Sequence, residues 1–217
     1  MDRIGPLYDH KPTAYFANAR DGEVAPLLEK PSEKALELGC GHGATLSRLK
    51  QRGLAGWTAG IEINTEAAAA ARSRLDHVVA GNIESLSDAS LPENLDLILC
   101  LNMLEHLVDP WSALKRLVAR LRQGGLVIAS IPNIRHVGTL GPLLFCGRFD
   151  YAESGTLDRG HLRFFTRRSA RGLFEAAGLA VTRVDAPVAG KSALLDALTL
   201  GLARDLCAYQ FLIRAER

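Results

Sequence analysis

The sequence has no pair of cysteines close enough to form a zinc or redox motif. Its four, Cys40, Cys100, Cys146 and Cys207, include no CxxC, which excludes a zinc ribbon or a thioredoxin-type centre. Nor does it need a disulfide framework, because 217 residues at 47% hydrophobic composition suffice for a core of their own. Cys40 and Cys100 sit at the ends of apolar segments, where a free thiol acts as a small apolar side chain in a reducing compartment, so a cytoplasmic location is expected. No charge of one sign dominates. A net charge of +2 argues against recruitment to nucleic acid or membrane by charge. The apolar stretches are interrupted by charged residues and too short to span a bilayer, so no integral membrane segment is expected. Residues 1–11 carry Asp2, Arg3, Asp9 and Lys11 and do not read as a signal peptide.

What is present is an alternation of strand and helix patterns. It predicts a single α/β domain over residues 1–217, with a mostly parallel sheet and helices on both faces. Residues 1–33, punctuated by Pro6, Pro12, Pro26 and Pro31, read as a helical cap with a helix at 15–28 broken near Pro26. Strands are expected at 34–38, 57–63, 77–80, 95–101, 126–131, 179–184 and 209–214. The run at 95–101 is almost wholly apolar, as suits a central strand covered on both faces. Helices are expected at 44–52 and 65–75. A third begins at Asp109-Pro110, buries Trp111, Leu114, Leu117, Val118 and Leu121, and stops at Gly124-Gly125. Residues 132–165 break the alternation with glycines and prolines and read as an irregular insertion or lid on the substrate side. Thr166 caps a helix ending at Gly178. A last amphipathic helix at 192–206, with Leu194, Leu195, Leu198, Leu202 and Leu206 on one face, is expected to cover the sheet, with a homodimer contact or a peripheral membrane contact as the alternatives.

The strongest local signal is Glu37-Leu38-Gly39-Cys40-Gly41-His42-Gly43, directly after the first strand. Glycines allow a sharp turn and close approach of a ligand to the backbone, and the helix behind them offers free N–H groups. The second signal is Gly60-Ile61-Glu62, which puts a carboxylate at the end of the second strand, where it accepts hydrogen bonds from ribose hydroxyls. Together they point to a nucleoside-containing cofactor. The turn also satisfies the dinucleotide fingerprint, so an NAD(P)-dependent oxidoreductase remains an alternative, as does a catalytically silent cofactor-binding protein. Two features favour a sulfonium cofactor. Glu37 places negative charge beside the turn, which suits a cation and repels a pyrophosphate. No Tyr is followed four residues later by Lys, the proton-transfer pair of short-chain dehydrogenases.

These residues resemble the class I S-adenosylmethionine-dependent methyltransferases, from about residue 15 to the last strand. Residues 37–43 resemble the family's first motif and 60–64 its ribose-binding second. Gly81-Asn82-Ile83 resembles the third, which contacts the adenine, with Asn82 in place of the usual Asp. The resemblance implies a Rossmann-like sheet of seven strands with the last antiparallel. It also implies S-adenosyl-L-methionine as cofactor and S-adenosyl-L-homocysteine as product. The expected cofactor contacts are Arg20, Glu37, Gly39, Cys40, Gly41, Gly43, Glu62, Ile63, Asn82, Ile83, Leu101 and Asn102, with Arg20 reaching the cofactor carboxylate. Residues 102–110 resemble the post-strand-four motif of the ubiquinone-type O-methyltransferases, and 157–166 a subgroup of bacterial enzymes from surface-polysaccharide pathways. Some ubiquinone-type enzymes hold a divalent metal there with two carboxylates and a histidine. Here the first carboxylate position is Asn102, leaving only Glu105 and His106. A neutral Asn is a poor hard-cation ligand, so no required metal is expected.

Methyl transfer from a sulfonium is a displacement governed by alignment, and a hydroxyl acceptor must also lose a proton, for which a neutral His is suited. His106 and His161 are the candidate catalytic bases, with a structural hydrogen bond as the plainer alternative for each. His42 is expected to order the glycine turn. Leu140, Leu143, Leu144, Phe145, Phe149 and Tyr151 are expected to cover the substrate, and Arg148, Arg159, Arg163, Arg167 and Arg168 to make that region basic. The expected reaction is O-methylation of a small-molecule or glycan/lipid-precursor acceptor.

Overall fold

The computed structural model describes residues 13–190 and 192–217; the expectations for residues 1–12 lie outside that range. Seven strands form one sheet: β1 (Ser32–Leu38), β2 (Ala55–Glu62), β3 (His77–Ala80), β4 (Leu95–Leu101), β5 (Leu121–Pro132), β6 (Ala180–Asp185) and β7 (Gln210–Glu216). Their order is β3-β2-β1-β4-β5-β7-β6. The first five are parallel, and β7 runs antiparallel to both β5 and β6. The expected mostly parallel, seven-stranded sheet is therefore the one that forms.

The apolar run of β4 is fully buried because both sheet faces are covered. Ile98 and Cys100 point into one core cluster, and Leu97, Leu99 and Leu101 into the other. Helix α3 (Ala44–Gln51) adds Leu46 and Leu49 to the second cluster. Helices α5 (Pro110–Ala119) and α7 (Arg167–Ala176) add Leu114, Leu117, Leu173 and Phe174 to the first. Each such burial stabilises by about 1.5–3 kcal/mol relative to exposure. The adjacent strands β1 and β4 thus send the chain to opposite faces of the sheet. Their carboxyl ends diverge and open a crevice between them.

Several elements differ from expectation. The helix expected at 15–28 is two short ones, α1 (Thr13–Phe16) and α2 (Asp21–Val24), followed by a 3₁₀ turn at Ala25–Leu27 that holds Pro26. Helix α4 (Thr65–Ala71) stops short, and Leu75 folds back against Gly43. Asp109 caps α5 by accepting from the Ser112 N–H at 3.1 Å, yet α5 ends at Ala119. Gly124-Gly125 do not stop it. They lie inside β5, where Gly124 adopts a φ of +73° and the β4–β5 register shifts between Leu95 and Leu97. Trp111 is half exposed, with the Arg163 guanidinium 5.9 Å above its ring, and is not a core residue.

The insertion at 132–165 is less irregular than expected, because it contains α6 (Val137–Cys146). The His136 side chain caps its start by accepting from the Gly138 N–H, and Gly147 in the left-handed region ends it. The expected helix at 192–206 breaks into α8 (Ser192–Leu198) and α9 (Arg204–Cys207). Leu200 and Gly201, both at positive φ, turn the chain between them. Leu194, Leu198 and Leu202 consequently face solvent and do not cover the sheet; the side chain of Leu195 is outside the described set. No helix among the described residues is long and apolar enough to cross a membrane.

Candidate active site

The glycine turn after β1 folds as it does because Gly39, Gly41 and Gly43 all adopt left-handed backbone. Gly41 also has no room for a side chain: a Cβ there would stand 2.4 Å from the Phe16 carbonyl oxygen. That close approach lets the His42 N–H donate to the Phe16 carbonyl at 2.8 Å and brings the two rings together, 6.2 Å between centroids. Helix α1 is thereby drawn over the turn. At the end of β2, Glu62 is buried and accepts from the N–H groups of Gly41 (2.8 Å) and Asn64 (2.9 Å), one on each carboxylate oxygen. Burial raises its pKa above the usual carboxylate range, and these amides pull against that shift.

These strand ends enclose a cavity of about 570 Å³. Of the expected cofactor contacts, Arg20, Glu37, Gly39, Cys40, Gly41, Glu62, Ile63, Asn82, Ile83, Leu101 and Asn102 line it. Gly43 does not, since it is turned toward Leu75. Arg20 is at the wall, but its guanidinium is bonded to Glu23 (2.9 Å) and to Gln210 (3.0 Å). Glu37 is buried in the floor, and burial pushes its carboxyl up to about 8, against the opposing pull of Thr45 and Arg20. One of its oxygens has no hydrogen-bond partner among the described residues. Asn102 holds a φ of +51°, a conformation Asn tolerates, and its side-chain oxygen accepts from the buried Ser130 hydroxyl.

His106 and His161 also line the cavity, and their rings meet edge to face with centroids 4.6 Å apart. His106 Nδ1 lies 2.9 Å from the Gly160 carbonyl and His161 Nδ1 lies 3.0 Å from that of Thr156. A carbonyl only accepts, so each Nδ1 carries the hydrogen, and Nε2 is the nitrogen that holds the lone pair whenever the ring is neutral. Glu105 is buried behind them, and burial pushes its carboxyl up to about 8. The structure thus brings together two histidines that the sequence holds far apart.

Sequence reasoning missed Tyr15, Phe16, Met103, Asp158 and Tyr209, which also line the cavity. Burial and the charges of Asp158, Glu105 and Glu62 push the Tyr15 phenol up to about 12, although 42% of the residue is exposed, so it is a hydrogen-bond donor at neutral pH. Asp158 lay inside a recognised stretch, but Tyr209 carried no local signal because only the sheet order brings it here. The basic character expected of the insertion is largely neutralised: Arg148, Arg159 and Arg167 pair with Asp150, Glu153 and Asp205.

A family profile described as a methyltransferase domain matches residues 13–184. The chain belongs to the class I S-adenosylmethionine-dependent methyltransferases. Within that family, it is 32% identical over 133 residues to the ubiquinone biosynthesis O-methyltransferase of Cupriavidus pinatubonensis, a match covering 59% of this chain and 50% of that protein. The methyltransferase chain thus spans about half the length of that curated relative. In fold it is similar to a SAM-dependent methyltransferase from Archaeoglobus fulgidus, with a TM-score of 0.66 at 16% identity over the whole of both chains. It is also similar to the [4+2]-cyclase SpnF, with a TM-score of 0.64 at 17% identity over 91% of this chain and 79% of that one. S-adenosylmethionine is the cofactor of the family, and the glycine turn and Glu62 stand where its nucleoside half is expected.

Proposed function

We propose that this methyltransferase domain transfers the methyl group of S-adenosylmethionine to a hydroxyl oxygen of a small-molecule or glycan/lipid-precursor acceptor. The observation that carries the reading is a single cavity lined both by the glycine turn with Glu62 and Glu37 and by the His106–His161 pair. Glu62 is held by two backbone amides with lone pairs to spare for ribose hydroxyls. The ionised form of the buried Glu37 is stabilised by a cation, which suits the ammonium or sulfonium of the cofactor and disfavours the pyrophosphate of NAD. Asn82, Ile83, Leu101 and Asn102 complete the wall on the adenine side.

In the reaction, an acceptor oxygen attacks the methyl carbon as the S–CH₃ bond breaks. The sulfonium becomes the neutral thioether of S-adenosylhomocysteine, and the acceptor proton passes to Nε2 of His106 or His161. The Nδ1–H bonds to backbone carbonyls fix the tautomer such a base needs. Transfer to oxygen is supported by the curated relative, whose name describes an O-methyltransferase. Helix α6, with Leu144 and Phe145 largely exposed, is assigned as part of the lid over the acceptor.

Thermal unfolding with S-adenosylhomocysteine, S-adenosylmethionine or NAD tests the cofactor assignment. A ligand at about 100 times its Kd adds roughly 2.7 kcal/mol. Stabilisation by both sulfur nucleosides, abolished in Glu62→Ala, is the expected result. Stabilisation by NAD alone refutes the assignment, and S-adenosylhomocysteine release with hydroxylated acceptors then tests turnover.

A further inference from the structure

A cation and an anion in the cavity wall are tied together through one hydroxyl. Thr45 Oγ1 accepts from the Arg20 backbone N–H at 3.3 Å, and the Thr45 hydroxyl donates to the buried carboxylate of Glu37. The Arg20 charge is close enough to favour the ionised form of Glu37. An α-amino-acid tail, with one ammonium and one carboxylate, complements such a pair.

The Arg20 guanidinium is clamped. Its Nε and Nη2 donate to the two carboxylate oxygens of Glu23, at 3.0 and 2.9 Å, and Nη2 also donates to Gln210 Oε1 at 3.0 Å. Gln210 Nε2 donates in turn to Glu23 Oε2 at 3.0 Å, which closes a ring of three side chains. An Arg only donates and a carboxylate only accepts, so the Gln210 amide is fixed one way round. Nη1 has no hydrogen bond among the described residues, so the fork is held along one edge and open at its tip. Glu23 lies only three residues beyond Arg20 and its side chain is 35% exposed; a local pair of that kind orders little by itself. Gln210 comes from 190 residues away, and its backbone is set opposite Pro132 in the β5–β7 ladder. It ties the segment around α2 to the rigid sheet.

We propose that Gln210 is a positioning residue for cofactor binding: with Glu23 it holds the Arg20 guanidinium so that Nη1 is presented to the carboxylate of the cofactor's amino-acid tail. The family resemblance places Arg20 at that carboxylate but does not say what holds so flexible a side chain there. Arginine gives up much rotamer freedom on engaging a ligand, and a guanidinium ordered beforehand binds without that loss. The amide provides this order without charge, so unlike Glu23 it sets no second anion against the incoming carboxylate. The inference rests on the cofactor assigned above.

Isothermal titration calorimetry with S-adenosylhomocysteine and with 5′-methylthioadenosine, which has the same nucleoside but no amino-acid tail, tests it. Arg20→Ala should weaken S-adenosylhomocysteine binding by about 10- to 100-fold, and Gln210→Leu by about 3- to 10-fold. Binding of 5′-methylthioadenosine should change by less than about 2-fold in either variant, which also reports that each is folded with its nucleoside site intact. In the Arg20→Ala background, Gln210→Leu should have no further effect, because it acts through the guanidinium. Equal weakening of both ligands by Gln210→Leu, or a Gln210 effect that persists without Arg20, overturns the positioning role and leaves the cofactor reading standing. Wild-type protein that binds neither ligand overturns the cofactor reading itself.

Discussion

Gly41→Ala and Gly53→Ala form a matched pair that tests how helix α1 is held over the cavity. Both glycines are left-handed, at φ +51° and +69°, so an alanine at either pays a common strain of about 1 kcal/mol. Their surroundings differ. Nothing lies within 4 Å of a Cβ at Gly53, whereas at Gly41 it would meet the Phe16 carbonyl oxygen at 2.4 Å. Real Cβ contacts do not fall under 3.0 Å, so Phe16 must retreat, and the bond from the His42 N–H to its carbonyl is stretched or lost. That bond contributes about 0.5–1.5 kcal/mol. The totals are then about 1 kcal/mol for Gly53→Ala and about 1.5–2.5 kcal/mol for Gly41→Ala. At roughly 2–4 °C per kcal/mol for a chain of this size, the midpoints fall by about 2–4 °C and about 3–10 °C. Thermal unfolding of both variants, with and without S-adenosylhomocysteine, is the assay. Gly53→Ala should keep the full ligand response and Gly41→Ala should lose most of it. Equal drops with equal ligand response would refute the packing of α1 on the turn.

The pH dependence of stability tests Glu37. Its carboxyl titrates near 8 in the folded protein, against 4.5 for an ordinary Glu, so the folded state holds the proton more tightly. The stability this adds is complete below about pH 4.5, is lost as the pH rises to about 8, and changes no further above that. The slope is up to about 1.4 kcal/mol per pH unit. Urea unfolding of Glu37→Gln should be flatter over that window, and slopes identical to wild type would contradict the burial argument. Asn133 is fully buried, donates to the carbonyls of Asp205 (2.7 Å) and Ala208 (2.8 Å), and accepts from the Arg135 N–H (3.0 Å). Asn133→Ala should cost about 2–4 kcal/mol in chemical denaturation; a loss under about 1 kcal/mol would mean those groups find other partners. Phe145 is 87% exposed, so Phe145→Ser should change stability by no more than about 0.5 kcal/mol while raising the acceptor KM. An unchanged KM would remove α6 from the lid.

The sequence showed the sheet more clearly than its trimmings. The uninterrupted apolar run of β4 and the turn-plus-acid pairing of Gly39–Gly43 with Glu62 are local signals, and each fell where expected. Gly124-Gly125 misled because a glycine pair is a helix stop only if the chain is still helical on reaching it. Here β4 pairing had already drawn Leu121 into the sheet. Trp111 misled because helical spacing names a face but not its width, and Arg163 satisfies that ring from the solvent side. Gly43 matched a motif, yet its direction was set by Leu75, a residue outside the motif. The largest gap is at the histidines. His106 and His161 were each weighed singly, and nothing local in a linear pattern says that the insertion returns to lay one ring against the other.

The place of β7 between β5 and β6 has a bearing on how the polypeptide matures on the ribosome. Until Gln210–Glu216 has been made, β6 has no neighbour and β5 presents the bare edge of Leu126–Pro132. From the completion of β5 until β7 has been made, the nascent chain therefore carries an unpaired, apolar strand edge, the kind of surface that recruits chaperones or aggregates. The sheet closes only when β7 slots into its interior between two strands made before it, so the part of the cavity wall that Tyr209 contributes is completed only after β6 is in place.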